Sequence, residues 1–195
     1  MQRMSDADSP PVAWDPCRPI HVVVNTAEAP PNADRLLTEA ANEVSRATGL
    51  KFVIEGTTDE VPDADRAPLD PQRYGNRWSP ALVAWTNPRV VPELDGRVAG
   101  VGGPRAATYA QSVDQHWVSG IVFLDAPTFR SILNRTEGWA DARAIVMHEL
   151  AHMVGLTHVK KRSELMYDDN VGKHEFGAGD LEGLRRLGMG RCFTR

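Results

Sequence analysis

The residues best equipped for chemistry lie in one run, His148-Glu149-Leu150-Ala151-His152-Met153-Val154-Gly155-Leu156-Thr157-His158. His148 and His152 are four positions apart, so on a helix of about 3.6 residues per turn their imidazoles leave the same face and can grip one metal ion. Zinc suits that pair of nitrogens. Glu149, one position round the helix, stands beside the metal rather than on it, where a general base acting on a zinc-activated water belongs. Gly155 is the predicted helix stop, because a residue without Cβ can enter the left-handed backbone region and turn the chain sharply. The turn returns His158 as a third ligand. Three imidazoles leave the fourth tetrahedral position of zinc open for water, which marks a catalytic site rather than a closed structural one.

Several elements must hold this run in place. The helix begins near Trp139, and Ala142, Ile145, Val146 and Leu150 give it an apolar face to bury against a sheet. Short β-branched or continuous apolar runs predict strands at Ile20 to Asn25, Leu50 to Glu55, Ala81 to Thr86 and Val118 to Asp125. The glycine-interrupted run Arg97 to Pro104 suits a sheet edge where another backbone must approach closely. Between the first two strands, Asn32 or Asp34 can cap a helix reaching Thr48, with Leu36, Leu37, Ala40, Ala41, Val44 and Ala47 on one face and Gly49 as its stop. Strand, helix and strand with short joints predict a right-handed crossover in a partly parallel sheet. Residues 56–80 read as a long loop, 105–117 as a connection, Pro127 to Leu133 as a turn or short helix, and Asp180 to Leu187 as a last helix stopped by Gly188.

At 195 residues the chain is long enough for one domain with a substantial core, and a formal net charge of -4 argues against a broad basic face for nucleic acid. Lys160-Lys161-Arg162 reads as a solvated loop. No apolar run is long enough to span a membrane, and a monomer is expected. His21 reads as a strand residue at a surface, and His116 as a loop or packing residue. Cys17 and Cys192, the two cysteines, stand near opposite ends of the chain. Paired, they would clasp it and imply an oxidising, extracellular setting, although no secretory signal is visible before Pro11; unpaired, they are two free thiols. Acidic stretches at Asp59 to Asp65 and Asp168-Asp169-Asn170 offer oxygen ligands for calcium as a further option, with solvated loops the simpler reading.

The extended pattern His-Glu-x-x-His-x-x-Gly-x-x-His resembles that of the metzincin zinc peptidases, whose signature adds a methionine turn beneath the metal. Met166, in Ser163-Glu164-Leu165-Met166-Tyr167, stands at the matching place, and Leu-Met-Tyr is similar to the matrixin branch. Val159, where matrixins usually have serine, and Asp168, where they have proline, depart from that branch. The resemblance implies an α+β fold of metzincin type: a twisted, mixed five-stranded sheet with two long helices in an upper lobe, residues 18–155, and a small irregular lower lobe, 156–195, with a C-terminal helix. Residues 1–17 would form an arm ahead of this catalytic domain, ordered by Trp14 and Cys17. It implies an endopeptidase acting on protein or peptide substrates, with His148, His152 and His158 on zinc, Glu149 as general base and Met166 as the hydrophobic floor. Substrate would lie extended along Val98, Ala99, Gly100 and Val101, and Tyr167 would open the first primed-side pocket. A zinc-binding module without proteolytic activity is the other reading of the same residues.

Overall fold

The computed structural model describes residues 12–108, 115–169 and 172–193. Its sheet has five strands in the order β2-β1-β3-β5-β4, where β1 is Ile20–Asn25, β2 Phe52–Thr57, β3 Ala81–Thr86, β4 Gly100–Thr108 and β5 Gln115–Asp125. β1 runs parallel to both β2 and β3, β3 runs parallel to β5, and β4 closes one edge antiparallel to β5. The expected mixed sheet and crossover are therefore present.

Alternation along the strands divides the core in two. Val22, Val24, Ala81, Val83, Trp85, Val122 and Leu124 point to the face covered by helices, while Val23, Leu82, Ala84, Ile121 and Phe123 meet Val91 and Leu94 on the other. This is the period of two that a pleated strand imposes. All six residues of β3 are buried, as its continuous apolar run predicts for a strand covered on both faces.

Two 16-residue helices occupy the first face, α1 (Ala33–Thr48) and, after the short helices α2 (Pro71–Tyr74) and α3 (Ala126–Leu133), α4 (Gly138–Met153). α1 buries Leu36, Leu37, Ala40, Ala41 and Val44 as one stripe. α4 is buried more completely. Ala142, Ala144, Val146, Met147, Leu150, Ala151 and Met153 are all inside, because α4 packs against α1, α3, β4 and β5 at once. Alanines at three of those positions let the neighbours come close. The last helix, α5 (Ala178–Leu187), packs on α1 through Leu184 and Leu187.

Two sequence expectations are corrected. The stretch 105–117 is not merely a connection: Arg105 to Thr108 continue β4 and Gln115 to Trp117 begin β5, in register across a bulge at Arg105/Ala106. Pro104 hides this continuity in the sequence, yet a proline lacks only a donor and is tolerated on an edge strand. The loop 56–80 contains α2, capped by the Asp70 carboxylate, and is fixed to the sheet by the buried Arg66, which donates to Glu60 and to the Ser119 hydroxyl.

In the N-terminal segment, Val12 is buried. Trp14 is buried and its Nε1–H donates to the Met153 carbonyl at 3.1 Å, while the Trp117 N–H donates to the Ala13 carbonyl. Cys17 and Cys192 are joined, with Cα atoms 5.4 Å apart. No described helix is long and apolar enough to cross a membrane.

Candidate active site

α4 delivers the first two histidines from its last turns. The chain then leaves the helix through Gly155, at φ 106, a conformation that L side chains rarely adopt. A Cβ at Gly155 would also lie 2.8 Å from Trp117 Nε1, so the turn needs glycine for backbone and for space. The return brings His158 opposite His148 and His152. The three Nε2 atoms form a triangle with sides of 3.0, 3.0 and 3.1 Å. One ion at the usual zinc–nitrogen distance of about 2.0–2.1 Å can touch all three corners of such a triangle.

The outer nitrogens settle which ring atoms face the centre. His148 Nδ1–H donates to the Leu165 carbonyl at 3.0 Å and His152 Nδ1–H donates to the Leu156 carbonyl at 2.8 Å. With the proton on Nδ1, each Nε2 presents a lone pair. Lone pairs converging at 3 Å repel one another unless a cation lies among them, so the donor set fits a metal ion. Burial holds His148 well below an ordinary histidine, down to about 3, and the neighbouring His152 adds to this; burial lowers His152 to about 4. Both rings are therefore unprotonated, and ready to coordinate, through the neutral range. His158 is exposed, so the centre is open to solvent on one side.

Glu149 lies one position round the same helical turn, buried against the edge strand. A Cβ at Gly100 would stand 2.7 Å from Glu149 Cγ, and one at Gly102 only 2.3 Å from the Glu149 carbonyl oxygen. The close approach foreseen for this glycine-rich edge is thus made by α4 itself. Burial alone pushes the Glu149 carboxyl up to about 8. A cation at the neighbouring imidazoles would favour the ionised form and bring that value down.

Beneath the histidines runs the 163–167 segment. Met166 is fully buried in the main core, its carbonyl accepts the Val159 N–H at 2.9 Å, and Val159 and Tyr167 form an isolated bridge. Tyr167 is half-buried, with the Arg162 guanidinium 5.6 Å from the ring centre. Among the residues expected to meet substrate, Val98 is exposed and precedes β4, and the Ala99 carbonyl accepts the Asp125 N–H. Gly100 faces α4 and Val101 packs toward the opposite core. Cys17 and Cys192 lie elsewhere, beside Asp15. His21 sits on the surface of β1 against Glu55, and His116 stacks on Phe193, as packing residues do.

Calcium is not supported. Asp59 pairs with Arg73, Glu60 with Arg66, and Asp63 accepts the Asp65 N–H, so these oxygens are already engaged. Asp168 and Asp169 are exposed, and Asn170 is outside the described residues. Sequence reasoning also missed partners that belong to the site, namely the carbonyls of Leu156 and Leu165 and the glycine faces that receive Glu149. A backbone carbonyl carries no residue-type signal; only the glycine spacing at 100 and 102 was there to be read.

Comparisons with known proteins agree with this fold. The matrixin family model matches residues 97–187, from the approach to β4 through the end of α5. No curated protein matches the sequence significantly. Among solved structures, an archaemetzincin (amzA) from Methanopyrus kandleri has a similar fold, with a TM-score of 0.52 at 15% identity over 86% of this chain and 93% of that one. At that identity the likeness is one of fold. Motif, family match over residues 97–187 and fold together support a metallopeptidase of the metzincin type, a family that implies zinc.

Proposed function

We propose that the chain is a zinc-dependent endopeptidase that hydrolyses extended protein or peptide substrates. The observation that carries the reading is the convergence of three Nε2 atoms within 3.0–3.1 Å on the solvent side of α4, with Glu149 on the next position of the same helix. His148, His152 and His158 would hold the ion. Bound there, zinc lowers the pKa of its water toward neutrality and polarises the substrate carbonyl.

Glu149 accepts the proton of the attacking water and returns it to the leaving nitrogen as the peptide bond breaks. Its burial against Gly100 fixes where that carboxylate stands. Met166 forms the apolar floor. β4 is an edge strand, with β5 on one side, and an extended peptide added alongside Val98 to Val101 would gain main-chain hydrogen bonds. The chain from Tyr167 onward would wall the first primed-side pocket. The clasp between Cys17 and Cys192 suits an oxidising, extracellular setting, in which residues 18–195 act as one monomeric catalytic domain behind a short arm.

The test uses zinc-loaded protein and a diverse peptide library, with cleavage sites read by mass spectrometry. Glu149→Ala should retain stoichiometric zinc and lose cleavage. Undiminished cleavage by that variant removes Glu149 from the mechanism, and no cleavage by the wild type favours a zinc-binding module instead.

A further inference from the structure

We propose that Glu164 is a positioning residue of the metal centre, holding the peptide that orients His148; the inference rests on the reading of the three histidines as metal ligands. A glutamate following Lys160-Lys161-Arg162-Ser163 in a polar connection would ordinarily be solvated. Glu164 is instead 3% exposed. Burying a carboxylate is costly unless its oxygens are fully partnered, and the hydrolytic chemistry makes no use of this one.

Its partners explain the burial. Glu164 Oε2 accepts the N–H groups of Gly179 at 2.8 Å and Asp180 at 2.9 Å, at the start of α5, where backbone donors lack helical partners and negative charge is favoured. Oε1 accepts the Ser163 hydroxyl at 3.1 Å and lies 3.3 Å from Lys161 Nζ. Burial pushes the carboxyl up, but the Asp180 N–H, the Ser163 hydroxyl, Lys161 and the Gly179 N–H outweigh it and hold the group below the ordinary glutamate value. The cradle leaves no room for a side chain at Gly177, where a Cβ would lie 2.4 Å from Oε2 and 2.8 Å from the Ser163 carbonyl oxygen, and it is tight at Gly179, where a Cβ would lie 3.0 Å from Oε2.

A second carboxylate crosses in the opposite direction. Asp180 Oδ2 accepts the N–H of Leu165 at 2.6 Å and of Gly177 at 3.0 Å. Residues 164–165 and 177–180 are thus laced together by two carboxylates and four N–H groups. Two contacts of the metal centre hang from that lacing. The Leu165 carbonyl takes the Nδ1–H of His148, and the Met166 carbonyl takes the N–H of Val159, the residue after His158. Releasing Glu164 frees the segment that sets the ring of the first ligand and the chain carrying the third.

The test compares wild type with Glu164→Ala and Glu164→Gln by zinc affinity in chelator competition, by the visible spectrum of the Co(II)-loaded protein, and by separate kcat and KM. Glu164→Ala should keep the wild-type circular dichroism and bind zinc more weakly, by up to the ~10–100-fold lost when the outer partner of a metal ligand is itself removed. Its Co(II) bands should shift, and kcat should fall with KM unchanged. Glu164→Gln keeps one acceptor oxygen for the two N–H groups and should recover part of the affinity. A folded Glu164→Ala protein with wild-type zinc affinity and Co(II) spectrum overturns the proposal while leaving the metal reading intact. Should the alanine variant not fold, the glutamine variant decides by the same readouts: weaker zinc and shifted bands support the role, unchanged values overturn it. A wild-type protein that takes up no zinc overturns both readings.

Discussion

Replacing Gly102 by alanine, with Gly103→Ala as its neighbour and control, separates close packing of the edge strand from its backbone conformation. Both glycines lie in β4, and neither has a positive φ. A methyl at Gly102 would meet the Glu149 carbonyl oxygen at 2.3 Å, its carbonyl carbon at 3.0 Å and its Cα at 3.1 Å, all backbone of α4, whereas one at Gly103 meets nothing within 4 Å. Helix backbone cannot rotate out of the way, so strand and helix must separate, and forcing an extra methyl into a packed interior costs roughly 1–3 kcal/mol. At Gly103 the alanine should instead gain about 0.4–1 kcal/mol from the smaller entropy of the unfolded chain. The two variants should differ by about 1.4–4 kcal/mol. Urea unfolding resolves that difference, since slopes of about 1–3 kcal/mol per molar place the midpoints roughly 0.5 M or more apart. Activity should follow the same order. Displacing Glu149 by an ångström can cost on the order of 100-fold in kcat/KM, and Gly103→Ala should stay close to wild type. Equal midpoints for the two variants would refute the packing argument.

Metal-free protein should show a stability maximum near pH 6.5, because below that value the two histidines gain more with rising pH than Glu149 loses. Glu149, raised to about 8 by burial, contributes stability that is fully present below its unfolded value of 4.5 and is lost as the pH rises through 8. His148 and His152, lowered to about 3 and 4, contribute stability present above 6.5 and lost as the pH falls through those values. Urea unfolding in chelator across this range checks the shape, and Glu149→Gln should flatten the alkaline limb; an unchanged limb would show that another group governs it. Gly155→Ala should destabilise the protein by roughly 1–3 kcal/mol through its backbone conformation, and it should also weaken zinc, because the turn no longer returns His158 to the same place. Wild-type zinc affinity in that variant would mean that the turn adapts without moving the third ligand.

How much was legible depended on the kind of signal each feature leaves. His148, Glu149, His152, Gly155 and His158 lie within eleven consecutive residues, where helical period and a glycine stop fix their relative directions locally. Four strands and both long helices were legible for the same reason, since β-branched or continuous apolar runs and a 3.6-residue apolar stripe are local patterns, and the start of β4 was legible from its glycines. The far end of the β4–β5 hairpin was not. Pro104-Arg105-Ala106-Ala107-Thr108 has neither alternation nor β-branched enrichment, and those residues become strand only because β5 supplies the ladder. Glu164 was likewise opaque: a glutamate in a lysine-rich connection looks solvated until α5, some fifteen residues on, presents its N–H groups.

By itself, then, the sequence determined the donor atoms, their spacing and the turn that gathers them, because those depend on neighbours along the chain. The tertiary structure decided what those atoms lean on. Which carbonyls hold the Nδ1 protons, why Gly100 and Gly102 must be glycine, and how Glu164 and Asp180 lace the methionine segment to α5 all arise from groups distant in sequence. Their partners are backbone atoms, which every residue carries and no residue type announces.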